Sequence, residues 1–138
     1  MIASDSIGFV VGGMTGVGKT TLLREMQKKL SSSPDSEPTC VCDVLIIKSQ
    51  HGKVNQQRDC FVTFYDMAGL GRHLTGRTAV YCHAAKAILG AVLVFDITDR
   101  KSFDALDQWY KELNVTFPLS DPDFVKILVG NKVGGWRC

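Results

Sequence analysis

The run Gly13-Met14-Thr15-Gly16-Val17-Gly18-Lys19-Thr20 constrains this chain more than any other feature. It fits G-x-x-x-x-G-K-[ST] at every defined position, and that spacing has a mechanism behind it. The glycines let the backbone curl until successive N–H groups face one anion. Lys19 supplies a point charge for β- and γ-phosphates, and the Thr20 hydroxyl suits Mg²⁺. A helix opening at Thr20 turns its positive end toward the same anion. The context agrees. An apolar strand, Ile7–Val11, precedes the loop, and a helix over Thr20–Leu30 follows, with Leu22, Leu23, Met26 and Leu30 at helical spacing. The plainer alternative is a structural glycine turn that happens to carry a lysine.

Apolar runs alternate with helical patterns along the rest of the chain, which predicts an α/β fold with a mainly parallel sheet. Ser31–Pro38 is a polar, proline-bounded loop. Val41–Lys48 and Cys60–Tyr65 read as the second and third strands, and the polar turn Gln50-His51-Gly52-Lys53 makes them an antiparallel hairpin with a long connection. Gly69–Gly76 reads as a loop, Thr78–Ala87 as a helix and Ala91–Phe95 as a fully buried strand. Ser102–Leu113 is predicted helical, with Phe103, Leu106, Trp109 and Leu113 on one face. Val125–Val129 is the last strand. At 138 residues the chain suits one domain with one core.

A second element supports the phosphate loop. Asp66 ends the third strand in Asp66-Met67-Ala68-Gly69, a D-x-x-G that places a carboxylate within reach of the metal through water. Gly69 is then able to bring its N–H to a γ-phosphate. Taken alone the motif is weak, since an aspartate at a strand end is common.

Composition excludes several function classes. Hydrophobic residues make up 45% and charged residues 22%, ordinary values for a globular chain. A formal net charge of +2 argues against nucleic acid or anionic membrane as the main partner. No apolar run approaches the roughly 18 residues of a membrane span. The opening Met1-Ile2-Ala3-Ser4-Asp5 lacks a basic leader, so no secretory signal is expected. Five cysteines with irregular spacing point to a reducing compartment. Cys40 and Cys42 form a C-x-C, but no second ligand pair sits at a zinc spacing, and residues of a core or groove are the expected reading. His51, His73 and His83 are scattered and read as solvated or packing residues. Trp109 reads as core and Tyr110 as its rim. Arg72 and Arg77 are expected to be surface arginines, with an approach to the γ-phosphate as the alternative.

With these residues in place the sequence resembles the Ras superfamily of small GTPases, and within it the Rab and Rab-like proteins, over Ile7 to Lys132. Leu93-Val94-Phe95-Asp96-Ile97-Thr98-Asp99-Arg100-Lys101-Ser102-Phe103 resembles the Rab strand and turn before the third helix. Leu128-Val129-Gly130-Asn131-Lys132 resembles the strand leading into the guanine-recognition motif N-K-x-D. The long hairpin connection and the stretch Gly69–Tyr81 look more like the Rab-like protein 3 group. The resemblance implies a P-loop NTPase three-layer sandwich with one antiparallel hairpin strand, and GTP or GDP with Mg²⁺ as ligands. It implies nucleotide contacts from Gly13 through Thr21 and from Asn131 and Lys132. It further implies that Lys19, Thr39 and Gly69 act on the γ-phosphate and that Thr20, Thr39 and Asp66 serve the metal. Effector or regulatory proteins are the implied partners.

Four departures bear on function. Leu70 stands where the glutamine that orients the attacking water should follow the D-x-x-G glycine, so hydrolysis is expected to be slow. Thr15 occupies a loop position that is glycine in Ras and small or polar in Rabs. No Phe, Tyr or Trp occurs between Thr20 and Cys60 to stack on the base. Asn131-Lys132 is followed by Val133-Gly134, so the guanine-reading aspartate is missing and preference for guanine over adenine should weaken. The family's final helix, strand and helix have no counterpart in Gly134-Gly135-Trp136-Arg137-Cys138, so a domain incomplete at its C-terminus is expected, marginal alone and dependent either on a partner or on self-association, for which a homodimer is one form. The ending Trp136-Arg137-Cys138 is not a prenylation signal and Ile2 excludes myristoylation, so no intrinsic lipid anchor is expected. The expected location is cytoplasmic, with any membrane recruitment through protein contacts. Two functions stay open: a nucleotide-dependent switch with weak GTPase activity in vesicle trafficking or signalling, and a catalytically inactive adaptor with impaired nucleotide binding.

Overall fold

Val10 and Val11 are wholly buried, and a strand apolar on both faces belongs in the middle of a covered sheet. The structure, a computed structural model, describes residues 5–30, 42–69 and 74–132. Within them β1 (Asp5–Gly12) leads to α1 (Lys19–Leu30), β2 (Cys42–His51), β3 (Arg58–Met67), α2 (Leu74–Ala84), β4 (Ile88–Asp96), α3 (Arg100–Asp104), α4 (Leu106–Asn114) and β5 (Val125–Asn131). The strands form one sheet in the order β2-β3-β1-β4-β5. β1 runs parallel to β3 and β4, with Val10 opposite Tyr65 on one side and Ala91 on the other. β5 is parallel to β4, and β2 alone is antiparallel, pairing with β3 from Cys42↔Met67 to His51↔Arg58. This is the expected α/β sandwich with one antiparallel hairpin strand.

Two apolar cores flank the sheet. On one face Val17, Leu23, Leu45, Ile47, Phe64, Val92 and Val94 pack together beneath α1. On the other, Met67, Tyr81, Trp109, Leu113, Phe117 and Phe124 join α2 and α4 to the strands. α1 forms because Leu22, Leu23 and Met26 recur on one side, and Lys28 and Lys29 in its last turn suit the helix dipole. Phe117, between α4 and β5, meets Tyr81 edge-on at 5.7 Å and stacks on Phe124 at 5.8 Å. Val125, Ile127 and Leu128 of β5, an edge strand among the described residues, are exposed.

Three expectations need correction. The helix predicted over Thr78–Ala87 starts earlier, at Leu74, and stops at Ala84. Thr78 Oγ1 donates to the Leu74 carbonyl at 2.9 Å in the first turn. At the far end the turn after Ala84 is fastened to β1, where Gly8 N–H donates to the Ala87 carbonyl at 3.0 Å. The single helix predicted over Ser102–Leu113 is two, α3 and α4, joined at Ala105, which keeps right-handed helical angles of φ −64° and ψ −20°. Ser102 is drawn inward there, its hydroxyl 2.7 Å from the Asp99 carbonyl and 2.9 Å from the Asp96 N–H. Phe103 does not share the buried face of Leu106, Trp109 and Leu113. It is 40% exposed, edge-on to Phe95 at 5.1 Å, with the Arg100 guanidinium 5.3 Å above its ring.

Candidate functional site

The C-terminal ends of β1 and β3 bring the two sequence motifs together. The loop Gly13–Gly18 leaves β1, and its curl needs left-handed angles that only glycine adopts cheaply, φ +85° at Gly16 and φ +92° at Gly18. A side chain at Gly18 would also run into the Asn131 amide. α1 begins directly after, with Leu22 N–H bonded to the Gly18 carbonyl, so its first N–H groups look into the loop.

Lys19 is 7% exposed and its ammonium donates to the carbonyls of Gly13 (2.6 Å) and Met14 (3.1 Å). Burial pulls its pKa below the usual lysine value, the nearby Asp66 carboxylate pushes it back up, and Arg77 lowers it. A cation held over its own loop in this way is positioned for an anion seated there. Thr20 is half-buried and its hydroxyl donates to Asp66 Oδ2 across the gap between α1 and β3. Asp66 is 6% exposed. Gly69 lies flush on the loop: a Cβ there would stand 2.5 Å from Thr15 N and 2.6 Å from the Gly13 carbonyl oxygen.

Asn131 and Lys132 reach the same loop from the end of β5. Asn131 Nδ2 donates to the Val17 carbonyl at 2.9 Å, and Lys132 Nζ donates to the Gly16 carbonyl at 2.5 Å. Lys132 also pairs with Asp96 at 3.1 Å. The Asp96 carboxylate accepts from the Thr98 hydroxyl at 2.6 Å and the Thr98 N–H at 2.8 Å, and these bonds, with Lys132, hold its pKa below the ordinary value. Thus Gly13–Thr20, Asp66, Gly69, Asn131 and Lys132 converge. Met14 is half-buried, Thr15 and Thr21 are exposed, and Val17 points into the core under α1. Thr39, Leu70, Arg72, His73 and Cys40 lie outside the described residues. Cys42 is half-buried on β2, and His83 and Tyr110 are exposed.

Sequence reasoning missed two parts of this neighbourhood. Asp96 was legible only as part of a longer string, although an acid at the end of a buried strand is the same signal that marks Asp66. Arg77 is the other. The expected surface arginine is 4% exposed, held bidentately by Glu112 through Nε at 2.8 Å and Nη2 at 2.9 Å. Its charge is committed to that carboxylate, which raises its pKa further.

The donor set fits a nucleoside phosphate with a hard cation. Among the described residues no three His, Cys, Asp or Glu side chains converge, and the Thr20 hydroxyl and Asp66 carboxylate are the oxygen groups that would face a cation here. The loop's N–H groups, the α1 N-terminus and Lys19 suit the phosphates themselves.

Comparison with known proteins places the chain in a family. The family model described as "Ras: Ras family" matches residues 8–134. The chain is 34% identical over 126 residues to the Ypt/Rab-type GTPase ypt7 of Pyricularia oryzae, covering 90% of this chain and 57% of that protein. It is 32% identical over 123 residues to the Ras-related protein RABA1b of Arabidopsis thaliana, covering 89% and 51%. It is 28% identical over 128 residues to the human Ras-related protein Rab-40B, covering 91% and 40%. The chain spans about half the length of the curated relatives it matches. With a family match across nearly all of its sheet and a phosphate loop at the head of β1, this chain belongs to the Ras family as a Rab-like small GTPase.

Proposed function

We propose that this chain is a GTP-binding switch of the Rab-like type that binds GTP and GDP with Mg²⁺ and hydrolyses GTP slowly. The observation that carries this reading is the union of a buried Lys19, a Thr20–Asp66 contact and Gly69 at one phosphate loop. In it, Gly13–Thr21 wrap the phosphates, Lys19 offsets their charge, and Thr20 and Asp66 hold the metal side. Bound Mg²⁺ would neutralise phosphate charge. Gly69 and Thr39 order their two segments around a γ-phosphate, and effector or regulatory proteins read that order. Asn131 and Lys132 brace the loop from the β5 side. Vesicle trafficking or signalling is the corresponding setting. The chain works in the cytoplasm, reaching membranes through protein contacts, and no described helix is long and apolar enough to cross one.

Slow hydrolysis follows from Leu70, which offers no polar group to place a water. A second reading, an adaptor with impaired nucleotide binding, is favoured by Leu70 together with Val133-Gly134 where a guanine-reading carboxylate would stand. The deciding experiment is Mg²⁺-dependent binding of fluorescent GTP and ATP analogues, with Lys19→Ala as control. Binding that prefers guanine and is lost in the variant supports the switch. Absence of binding to folded protein sinks it in favour of the adaptor.

A further inference from the structure

The Arg77 guanidinium makes contacts of three kinds with described residues. Two N–H groups hold the Glu112 carboxylate, the guanidinium carbon lies 4.8 Å from the centre of the Trp109 ring, and Nη1 donates to the Ala68 carbonyl at 2.8 Å. Glu112 is itself fixed by a second donor, Tyr81 Oη, at 2.7 Å. The brace therefore ties α2 and α4 to the residue just before Gly69.

Ala68 C=O and Gly69 N–H belong to one planar trans peptide, in which the two groups point in opposite directions. Anchoring the carbonyl on Arg77 therefore directs the Gly69 N–H away from it. The same glycine lies against the phosphate loop, where a Cβ would meet Thr15 N and the Gly13 carbonyl. We propose that Arg77, braced by Glu112 and Tyr81, is a positioning residue that orients the Ala68–Gly69 peptide and thereby sets the preference for nucleoside triphosphate over diphosphate. This rests on the nucleotide-binding reading above. A lysine cannot replace it, because a point charge lacks the planar fork that serves Glu112 and Ala68 together.

The test uses the full chain with GDP and a non-hydrolysable GTP analogue in Mg²⁺, and the Gly69 amide resonance of the nucleotide-free protein. Arg77→Lys is expected to lower the triphosphate-to-diphosphate affinity ratio by about fivefold or more, with diphosphate affinity kept within about twofold. The Gly69 amide should shift as well. Arg100→Lys, in an exposed pair with Asp104, should change neither. An unchanged ratio, an unmoved Gly69 amide, or an equal loss of both affinities overturns the proposal, the last because it marks a merely structural role. Those results leave the functional reading intact, since the unsubstituted chain binds. Failure of the unsubstituted chain to bind either nucleotide sinks both ideas and is seen before any substitution is made. If Arg77→Lys does not fold, Glu112→Gln removes the brace's charge at constant size and carries the same expectation and the same refutation.

Discussion

Replacing Gly12 with alanine tests the packing that supports the phosphate loop. Gly12 is the last residue of β1, and a Cβ there would stand 2.6 Å from Trp109 Cε3 and 2.9 Å from Cζ3. Ordinary contact begins near 3.4 Å, so the ring must retreat by 0.8 Å, the difference between 3.4 and 2.6. It has little room to do so. Trp109 is 5% exposed, and the Arg77 guanidinium sits 4.8 Å from its ring, held in place by Glu112. Overpacking of a dense interior by one methyl costs about 1–3 kcal/mol. The lower entropy of the unfolded alanine chain offsets about 0.4–1 kcal/mol of that. A net loss of about 1–2 kcal/mol is expected, which for a chain of this length lowers Tm by about 4–8 °C. The assay is thermal and urea unfolding followed by circular dichroism, as a double-mutant cycle with Trp109→Leu. That second change costs about 2–4 kcal/mol alone, but it removes the ring, so adding Gly12→Ala should then leave only the entropic gain of about 0.4–1 kcal/mol. Additive effects within about 0.5 kcal/mol would refute the contact as the cause.

Other expectations follow from the same site. Thr20→Val removes the hydroxyl that meets Asp66 and should reduce the Mg²⁺ dependence of nucleotide affinity about tenfold, about 1.4 kcal/mol, read by comparing Kd with Mg²⁺ and with EDTA; an unchanged dependence counts against the metal assignment. Tyr81→Phe deletes the hydroxyl donor to Glu112 and should cost about 1.5–3 kcal/mol in urea unfolding, and a loss below about 0.5 kcal/mol would show the Arg77–Glu112 pair to be self-sufficient. Asp96 has a lowered pKa in the folded chain, so the unfolded state binds the proton first as pH falls. Its contribution is thus complete above the ordinary carboxylate pKa of 3.8 and is lost as pH drops through the folded value. Asp96→Asn should therefore flatten the fall in urea midpoint between about pH 5 and pH 2, and an unaltered slope would contradict that role.

Much of this molecule is legible in one dimension because its signals are local. The phosphate loop is eight consecutive residues whose glycines set its backbone and whose lysine carries its charge, so its conformation can be argued before any contact is known. The strands show through continuous apolar runs, and β1 and β4 extend only one or two residues past their predicted limits at most ends. Helix limits were less legible. The stop of α2 at Ala84 and the join at Ala105 depend on what lies beyond the segment: a turn hooked to Gly8, and a serine of α3 tied back to the end of β4. Phe103 kept the right spacing for burial, yet Phe95 and Arg100 gave it a partner at the surface.

The sequence by itself determined the phosphate-loop motif, the fold class and the family, since each rests on residue types at short, fixed intervals. Only the tertiary structure decided which distant residues meet that loop. Asp66 meets Thr20 across 46 positions, Asn131 meets Val17 across 114, and Lys132 meets Gly16 across 116. Arg77 finds Glu112 across 35, and that partner turns an expected surface arginine into a buried one. Whether a long charged side chain stays in water or enters the interior depends on the group that faces it there, because an unpaired buried charge is costly and a paired one is tolerated. That facing group is set by the order in which crossovers lay the strands and helices side by side, which no short window of sequence contains.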